Sequence, residues 1–417
     1  MHIRHERLYR LPWNMADNPI SWLEPTKNCN LTCFGCYSAN RKDSHKSMAE
    51  IEREIDLFLT LRNSDGISIA GGDPLTHPKI CDIVSMIVRK GAKPIINTNG
   101  LALTPELLRG LKSAGVAGFT FHIDSKQQRP MWKGKSELEI NQLRQQYADM
   151  LAAEGGMSCA FNATIYGDTL HMVPGMLAWA RSNIDRVHVM VFILFRAATS
   201  PERFDYYVRG KKIDVRETVY GNEQGERIDL SAHDLYRTVK TAYPEFEPCA
   251  YLNGTSDPAS FKWTLSGWIG TQDRIFGCVG KRYMEVAQMI HHFWKKKYLA
   301  YTRPTIHRRG RLMLLLSVVD GSIRGVARRW LRWVCVNPLR LLQRLYYQSV
   351  VFIQPVDLLE NGAQNMCDSC PDMTIHQGKL VWSCRLEEQL QYGDWAITVP
   401  KGAQAPAQGQ SPHTPEN

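Results

Sequence analysis

Strand-like runs alternate with amphipathic helical patterns between residues 20 and 200, and this alternation restricts the chain to few folds. Strands that are each followed by a helix form parallel βα units. The loops after the strands then gather at one edge of the sheet, where ligands of such folds bind. The predicted strands are 21–24, 67–70, 94–97, 118–123, 158–165 and 186–192, and the predicted helices are 48–61, 80–90, 105–114 and 141–153.

Three cysteines, Cys29, Cys33 and Cys36, follow the first predicted strand with the spacing C-x3-C-x2-C. A closed zinc site needs four ligands, usually as two paired C-x2-C motifs, and this loop supplies three. A cubane iron–sulfur cluster has four irons, so three thiolates leave one iron open to a small molecule. The incomplete ligand set therefore favours a catalytic cluster over a structural metal site.

The second predicted strand ends in the glycine-rich turn Gly71, Gly72, Asp73 and Pro74. Glycines let the backbone approach a ligand closely because they have no Cβ. The carboxylate that follows them can accept hydrogen bonds from an ammonium group. The turn is therefore a candidate ligand-binding loop.

Together, the cysteine loop and this turn resemble the radical S-adenosylmethionine (SAM) superfamily. The resemblance implies an α/β fold, a partial (β/α)6 TIM-like barrel, with a [4Fe–4S] cluster held by the three cysteines. In that family SAM chelates the open iron and is cleaved reductively to a 5′-deoxyadenosyl radical. The family has Gly-Gly-Glu-Pro at the turn, so Gly71, Gly72 and Asp73 are implied SAM-binding residues. A flavodoxin, a ferredoxin or a reductase is implied as the electron donor.

Polar residues also follow the third predicted strand. Thr98, Asn99 and Gly100 resemble the Thr-Asn-Gly turn that lines the cleft in the family. An ordinary tight turn built on Asn99 and Gly100 is the alternative interpretation. Thr98 and Asn99 are thus candidate cofactor-binding residues.

Asp124 and Ser125 close the fourth predicted strand. Many family members have a Ser/Asp pair at this place that contacts the ribose or the carboxylate of SAM, so both are candidate cofactor-binding residues. Alternation along the strand directs His122 to the same side as Asp124. His122, and Asn162 and Arg196 on or after later strands, are further candidates, and simple packing is the alternative for the histidine.

A second group of cysteines near the C-terminus forms a cysteine-containing extension. Cys367 and Cys370 form a C-x2-C pair, and Cys384 follows. The spacing permits zinc, whereas the resemblance implies a second [4Fe–4S] cluster in a SPASM/twitch-like extension. A closed site needs a fourth ligand, for which Cys249 in a proline-bracketed loop is the first choice and Cys278 the second. The remaining cysteines, Cys81, Cys159 and Cys335, are expected to pack as apolar residues.

Lysine and arginine are concentrated in one segment of a chain whose net charge is +10. Residues 291–348 carry three Lys and ten Arg against one acid, Asp320. Large apolar residues alternate with these cations, as in amphipathic segments that lie on membranes. We predict an anionic membrane surface as a partner, with Trp330, Leu331 and Trp333 on the inserting side. Packing on the barrel and binding of nucleic acid are the alternatives.

The N-terminal residues and the cysteine content indicate the compartment. Residues 1–7 are polar, and no stretch typical of a secretory signal or long enough to span a bilayer follows them. Eleven cysteines in unequal clusters indicate metal or redox chemistry in a reducing environment rather than a disulfide framework. We expect a cytoplasmic protein that is peripheral on the inner face of the membrane.

Composition divides the chain into six segments. The C-terminal tail is rich in Gln, Ala, Pro and Gly without periodicity, which predicts disorder. The segments are an N-terminal lead-in (1–19), the radical SAM core barrel (20–230), a connecting region (231–290), a basic amphipathic segment (291–350), the auxiliary cluster region (351–399) and the tail (400–417).

These patterns predict a radical SAM enzyme that modifies an unactivated carbon. Lipid and isoprenoid chains offer no polar group to acid–base catalysis, so the basic apolar segment favours a lipid substrate. Peptide (RiPP) maturation and RNA modification are the enzymatic alternatives. An iron–sulfur electron carrier or a zinc-stabilised binding protein is the non-enzymatic alternative, and formation of 5′-deoxyadenosine from SAM separates an enzyme from both.

Overall fold

A sheet of eleven strands, most of them paired in parallel, forms the centre of the molecule in the computed structural model, which describes residues 2–195, 199–215 and 230–403. The described strands are β1 (Tyr9–Arg10), β2 (Ile20–Leu23), β3 (Gly66–Ile69), β4 (Lys93–Thr98), β5 (Gly118–His122), β6 (Ser158–Ile165), β7 (Val189–Leu194), β8 (Phe204–Val208), β9 (Lys211–Ile213), β10 (Ala250–Asn253), β11 (Phe261–Gly270), β12 (Ile275–Cys278), β13 (Tyr346–Ile353), β14 (Asp357–Leu358), β15 (Gln364–Asn365), β16 (Met373–His376), β17 (Lys379–Trp382) and β18 (Ile397–Pro400). The described α-helices are α1 (Met48–Leu61), α2 (Ile80–Arg89), α3 (Pro105–Ala114), α4 (Asn141–Glu154), α5 (Val173–Ser182), α6 (Ala232–Ala242), α7 (Lys281–Lys295), α8 (Pro304–His307), α9 (Gly310–Met313), α10 (Gly321–Val336) and α11 (Leu386–Tyr392).

Six neighbouring parallel strands, β2 to β7, follow one another in chain order and are connected by helices α1 to α5. This arrangement confirms the predicted α/β fold, because every predicted strand and helix overlaps an observed one. Local sequence accounts for the agreement. Helix α1 buries Ile51, Ile55 and Phe58 on one side, and the Thr104 side chain accepts a hydrogen bond from the Leu107 backbone N–H at 3.2 Å, which caps α3.

The sheet continues beyond β7 through strands that lie far along the chain. Strand β13 pairs in parallel with β7, and β11 pairs antiparallel with β13. Strands β10 and β12 pair with the opposite edge of β11, and β1 pairs with β10. A second core, which includes Leu11, Phe276 and Val326, forms around these strands, and α10 packs against β12. Residues 281–342 therefore form a helical layer at this end of the sheet.

The C-terminal extension packs along β2, the edge strand of the sheet. The buried Arg62 side chain at the end of α1 donates a hydrogen bond to the Cys370 carbonyl oxygen at 2.7 Å. The Glu387 carboxylate on α11 forms ion pairs with Lys27 at 3.2 Å and Arg41 at 2.8 Å. These contacts hold the C-terminal cysteines beside the first strand and its cysteine loop.

Two sequence expectations concern the membrane and the tail. Within the described ranges, no helix combines the length and the hydrophobicity that crossing a bilayer requires. The predicted disordered tail, 400–417, falls mostly on residues 404–417, which lie outside the described residues. Its first residue, Pro400, ends β18 and pairs with Phe204 in β8.

Candidate active site

The three N-terminal cysteines lie on the loop that follows β2, at the carboxyl end of the parallel strands. Cys29, Cys33 and Cys36 are all half-buried. Burial raises the pKa of each thiol, so iron must displace their protons when it binds. The Asn40 side chain accepts a hydrogen bond from Cys29 N at 3.0 Å and donates one to Cys29 O at 2.9 Å, which closes the loop on itself.

Gly71 and Gly72 form a cradle against which the cysteine loop packs. The backbone N–H of Gly72 donates to Thr26 O at 2.8 Å. A Cβ at Gly71 would lie 2.2 Å from Thr26 O, and a Cβ at Gly72 would lie 2.2 Å from Asn28 O, so neither position has room for a side chain. Gly71 also has a φ of +107°, which favours glycine. The two glycines therefore hold the cysteine loop at the strand ends.

Asp73 joins the ends of β3 and β4. Its carboxylate accepts hydrogen bonds from Thr98 Oγ1 at 2.8 Å, from Asn99 N at 2.8 Å and from Leu75 N at 3.0 Å. Asp73 is 1% exposed, and burial raises its pKa while these hydrogen bonds oppose the rise. The predicted SAM-binding residues Asp73 and Thr98 thus bind each other, which gives them a positioning role in this structure.

Asn99 reaches from the end of β4 to the first cysteine. Its Nδ2 donates to Asn30 Oδ1 at 2.7 Å and lies 3.7 Å from Cys29 Sγ. Its Oδ1 accepts from Leu101 N at 2.8 Å, which fixes the orientation of the amide. The structure therefore brings Asn99, Asp73 and the glycine cradle to the cysteine loop, as the strand-end argument predicts.

Asp124 and His122 form a pair at the end of β5. Asp124 is 3% exposed, and its Oδ2 lies 3.0 Å from His122 Nε2. The Asp124 Oδ1 accepts from Lys126 N at 3.0 Å. The Ser125 backbone N–H donates to the Glu137 carboxylate at 2.6 Å. These residues line the same edge of the sheet as the cysteine loop. The further candidate Arg196 lies outside the described residues.

Arg129 is a buried cation at this edge that no sequence motif identifies. Its Nη2 donates to the carbonyl oxygens of Asn99 and His122, and it is 3% exposed. Burial lowers its pKa, and its charge opposes the rise in the pKa of the Cys33 thiol. The only sequence signal was its place in the loop after β5, five residues beyond Asp124. Arg129 connects the loops after β4 and β5 beside the cysteines.

Aromatic side chains form one wall beside the cysteine loop. Phe195, which follows β7, stacks on Tyr166, which follows β6, with ring centroids 5.0 Å apart. The Tyr166 hydroxyl donates to the Phe34 carbonyl oxygen at 3.2 Å. A Cβ on Gly35 would lie 3.1 Å from the Phe195 ring, and Gly35 has a φ of +73°. The residue before Cys36 is therefore small because the aromatic wall packs against it.

The C-terminal cysteines form a second group, next to β2. A hydrogen bond with Cys367, and then burial, raise the pKa of the Cys370 thiol. Burial and then Cys367 raise the pKa of Cys384 to about 12. Burial raises the pKa of the neighbouring Asp372 to about 7. The structure therefore brings Cys367, Cys370 and Cys384 together, with Asp372 as their acidic neighbour.

Cys249, the predicted fourth ligand, lies elsewhere. It belongs to the second core, and its Sγ lies 3.3 Å from Leu265 O. Burial is the largest cause that raises the pKa of the Cys249 thiol. The next is Cys278, which was the second choice for this ligand. The structure thus groups Cys249 with Cys278 and not with the C-terminal cysteines. Over the described ranges, no three His, Cys, Asp or Glu side chains converge tightly enough to enclose a single ion.

The cysteine loop fits a cluster held by three thiolates. The donors are soft sulfur atoms on one loop, the glycine cradle has no space for a Cβ, and the Asn99 amide faces the first sulfur. Residues 23–151, which contain all of these features, match the model of the Radical SAM superfamily. Residues 23–151 thus form a radical SAM domain. Members of this superfamily are enzymes that use a [4Fe–4S] cluster and SAM.

Similar proteins match parts of the chain. An AdoMet-dependent heme synthase from Methanosarcina barkeri is 32% identical over 112 residues, which cover 26% of this chain and 32% of that protein. An Fe-coproporphyrin III synthase from the same organism is 22% identical over 244 residues, 56% of each protein. The crystal structure of Streptococcus suis SuiB has 16% identity and a TM-score of 0.39, covering 54% of this chain and 46% of that one. The chain thus spans about a third to just over half of these proteins.

Proposed function

We propose that the chain cleaves SAM reductively and uses the 5′-deoxyadenosyl radical to attack an unactivated carbon of a lipid at a membrane surface. The observation that supports SAM cleavage is the convergence of the cysteine loop, the glycine cradle and Asn99 at the carboxyl ends of β2 to β4. A bound [4Fe–4S] cluster would offer SAM an open iron and supply the electron for C–S cleavage. A flavodoxin, a ferredoxin or a reductase would deliver that electron.

The chain's own residues hold and shield this site. The three thiolates would hold the cluster, and the Asn99 N–H group beside Cys29 would stabilise negative charge on its sulfur. The Asp73 carboxylate keeps Asn99 in place by accepting a hydrogen bond from the Asn99 backbone N–H. The aromatic wall of Tyr166 and Phe195 limits the access of water to one side of the loop.

A lipid substrate is supported by an exposed surface that combines apolar and cationic residues. Fourteen of the twenty large apolar side chains that are exposed in the described residues lie between Met289 and Leu342, a region that we name the apolar basic surface. Phe293, Trp294 and Val318 are 72%, 76% and 80% exposed. Exposed apolar side chains in such number mark a membrane or protein contact, and interleaved Lys and Arg favour anionic headgroups.

The alternatives differ in what they would leave exposed. RNA would neutralise the cations but would leave the aliphatic side chains of the apolar basic surface in water. RNA binding therefore explains the cations of this surface but not its exposed apolar side chains. A peptide or a tetrapyrrole, the latter in view of the relatives that are named heme and coproporphyrin synthases, would occupy the barrel and would leave the apolar basic surface unexplained. The lipid proposal uses both features and places the chain on the cytoplasmic face of the membrane.

We also propose a second [4Fe–4S] cluster at Cys367, Cys370 and Cys384. Its position beside β2 would put it close to the first cluster, because Tyr37, the half-buried residue after Cys36, lies near Cys384. Zinc is the alternative occupant, since thiolates accept both.

We expect about eight irons per chain after anaerobic reconstitution, and about four after Cys384→Ala. The matched control is Cys249→Ala, which removes a buried thiol in the second core and should leave about eight irons. Iron and zinc are both measured by mass spectrometry. Four irons with one zinc in the wild-type chain would establish a zinc site, and a loss of iron in Cys249→Ala would restore Cys249 as the fourth ligand.

The decisive experiment supplies deuterated lipid to the reconstituted enzyme with SAM and dithionite. The radical abstracts a hydrogen atom from its substrate, so 5′-deoxyadenosine should gain one deuterium when vesicles contain perdeuterated acyl or isoprenoid chains. Mass spectrometry of 5′-deoxyadenosine gives the readout, and vesicles of undeuterated lipid are the control. Unlabelled 5′-deoxyadenosine in both samples would contradict the lipid substrate but not SAM cleavage, and the absence of 5′-deoxyadenosine would contradict both.

A further inference from the structure

A cavity of about 400 Å³ lies at the amino ends of β6 and β7. Its walls come from the end of α4, the turn at Gly155 and Gly156, the loop before β7, and Pro304 and Arg308 of the helical layer. The cysteine loop lies at the carboxyl ends of the same sheet. The cavity is therefore separate from the candidate active site.

His188 lines this cavity and carries an unused hydrogen-bonding atom. The Cys159 backbone N–H donates to His188 Nδ1 at 2.9 Å, so Nδ1 is an acceptor and the ring proton of the neutral imidazole is on Nε2. Burial, with further effects of His307 and Arg308, holds the pKa of His188 well below its usual range, so the ring stays neutral. His188 is 3% exposed, and its Nε2 has no partner among the residues that the structure describes.

The other polar groups of the cavity are two arginines and two aspartates. Arg186 pairs through Nη1 with Asp149 and through Nη2 with Asp185, while Arg186 Nε and Asp185 Oδ1 find no partner in the described part of the chain. Arg308 is exposed, and its guanidinium makes no hydrogen bond or ion pair with a described residue. The lining is neutral as a whole, and it offers donors from His188 and Arg308 and an acceptor from Asp185.

We propose that this cavity binds a phosphate ester whose organic part carries a hydroxyl or ammonium donor. The phosphate oxygens would accept hydrogen bonds from His188 Nε2 and the Arg308 guanidinium, and the donor would bind Asp185 Oδ1. Two sources share this chemistry: the headgroup of a phospholipid and a free phosphorylated alcohol. The headgroup is favoured by position, because the chain runs from Arg308 directly into the exposed Leu312 and Leu315 of the apolar basic surface. Binding of phosphate does not depend on the proposed lipid substrate.

Titration calorimetry of the full chain with glycerol 3-phosphate tests the proposal. We expect saturable binding that weakens at least about tenfold in His188→Asn and in Arg308→Ala, because each removes one donor to the phosphate. In His188→Asn the amide oxygen can still accept from Cys159 N–H, but the side chain is too short to reach the cavity. His188→Gln reaches the cavity with an N–H group and should bind more tightly than His188→Asn.

Arg303→Ala is the matched control, because it removes an exposed cation of the same segment that does not line the cavity. Binding should be unchanged in this variant. No saturable binding to the wild-type chain, or equal binding by Arg303→Ala and Arg308→Ala, would overturn the proposal. Arg308 is exposed, so its variant tests the proposal even if the His188 variants do not fold.

Vesicles of phosphatidylglycerol and of an uncharged lipid distinguish the two sources. If the headgroup is the ligand, Arg308→Ala should weaken binding to phosphatidylglycerol vesicles more than Arg303→Ala does. If both variants bind these vesicles alike while glycerol 3-phosphate still discriminates them, the ligand is a free phosphorylated alcohol. Without vesicles, formation of 5′-deoxyadenosine from SAM should be the same in both variants, which separates this site from SAM cleavage.

Discussion

Replacing Cys29, Cys33 and Cys36 together with Ala should abolish formation of 5′-deoxyadenosine from SAM and remove about four irons per chain. The three half-buried thiols share one loop that the glycine cradle holds at the strand ends, and a cluster has no other protein ligand in this loop. Since uncatalysed cleavage is slow, we expect a loss on the order of a thousandfold or more. Chromatography of the products after dithionite reduction, with iron analysis of the same sample, gives the measurement.

The control for this prediction is a double variant of unrelated thiols, Cys81→Ala with Cys335→Ala. Cys81 is half-buried on α2 and Cys335 is exposed on α10, and neither belongs to a cysteine group. This variant should keep its iron and its activity, which excludes a general effect of losing thiols. Formation of 5′-deoxyadenosine by the triple variant at the wild-type rate would disprove the role of the cysteine loop.

The central sheet could be predicted because its signals are local. Each of the strands β2 to β7 is short and rich in β-branched or aromatic residues, and each helix between them has one apolar side. The position of the cysteine loop and of Gly71 at the same edge then follows from parallel pairing alone. Asn99 could be predicted as a site residue because it belongs to a turn motif. In the structure its side-chain amide lies beside the Cys29 sulfur.

The rest depends on contacts between distant parts of the chain. Strand β13 pairs with β7 although more than a hundred residues separate them, and no local pattern identifies the partner of a strand. The sequence predicts that the Asp73 carboxylate accepts hydrogen bonds from an ammonium group, but it does not reveal that the carboxylate also accepts from Thr98 and Asn99. Cys249 shares its residue type with the ligands but is buried in another core, which spacing cannot reveal.

Which side chains of the apolar basic surface are exposed also depends on contacts between distant parts of the chain. Sequence pattern selected Trp330, Leu331 and Trp333 as the inserting side chains. Leu331 is 52% exposed, whereas both tryptophans are half-buried against the second core, and Trp333 contacts Phe276 with ring centroids 5.2 Å apart. The tryptophans therefore contribute to folding, and the side chains available for insertion are others in the same segment.

We expect the variant Phe293→Ser, Trp294→Ser and Leu342→Ser to bind anionic vesicles about a hundredfold more weakly than the wild-type chain. These side chains are 72%, 76% and 83% exposed, so their replacement removes little packing within the fold. Full burial of one such side chain is worth roughly 1.5–3 kcal/mol, and partial insertion of three gives about 3 kcal/mol, or two powers of ten. Sedimentation with phosphatidylglycerol vesicles measures the partition.

The matched control is Val88→Ser, Leu101→Ser and Met131→Ser, which removes exposed apolar side chains outside the apolar basic surface. This variant should bind vesicles as the wild-type chain does. Equal loss in the two triple variants would mean that apolar side chains act anywhere on the molecule, and it would contradict a specific membrane-binding surface.

Salt separates insertion from attraction between charges. At physiological ionic strength the reach of exposed charges is about 8 Å, and it shortens further as salt is added. The wild-type chain should therefore bind vesicles more weakly at 1 M salt yet stay partly bound, because burial of apolar side chains does not depend on screening. The serine variant has the same cations and should dissociate completely. RNA binding should disappear over the same range, since it depends on the release of counterions. Complete dissociation of the wild-type chain from vesicles, together with RNA binding that resists salt, would remove the support for a lipid substrate.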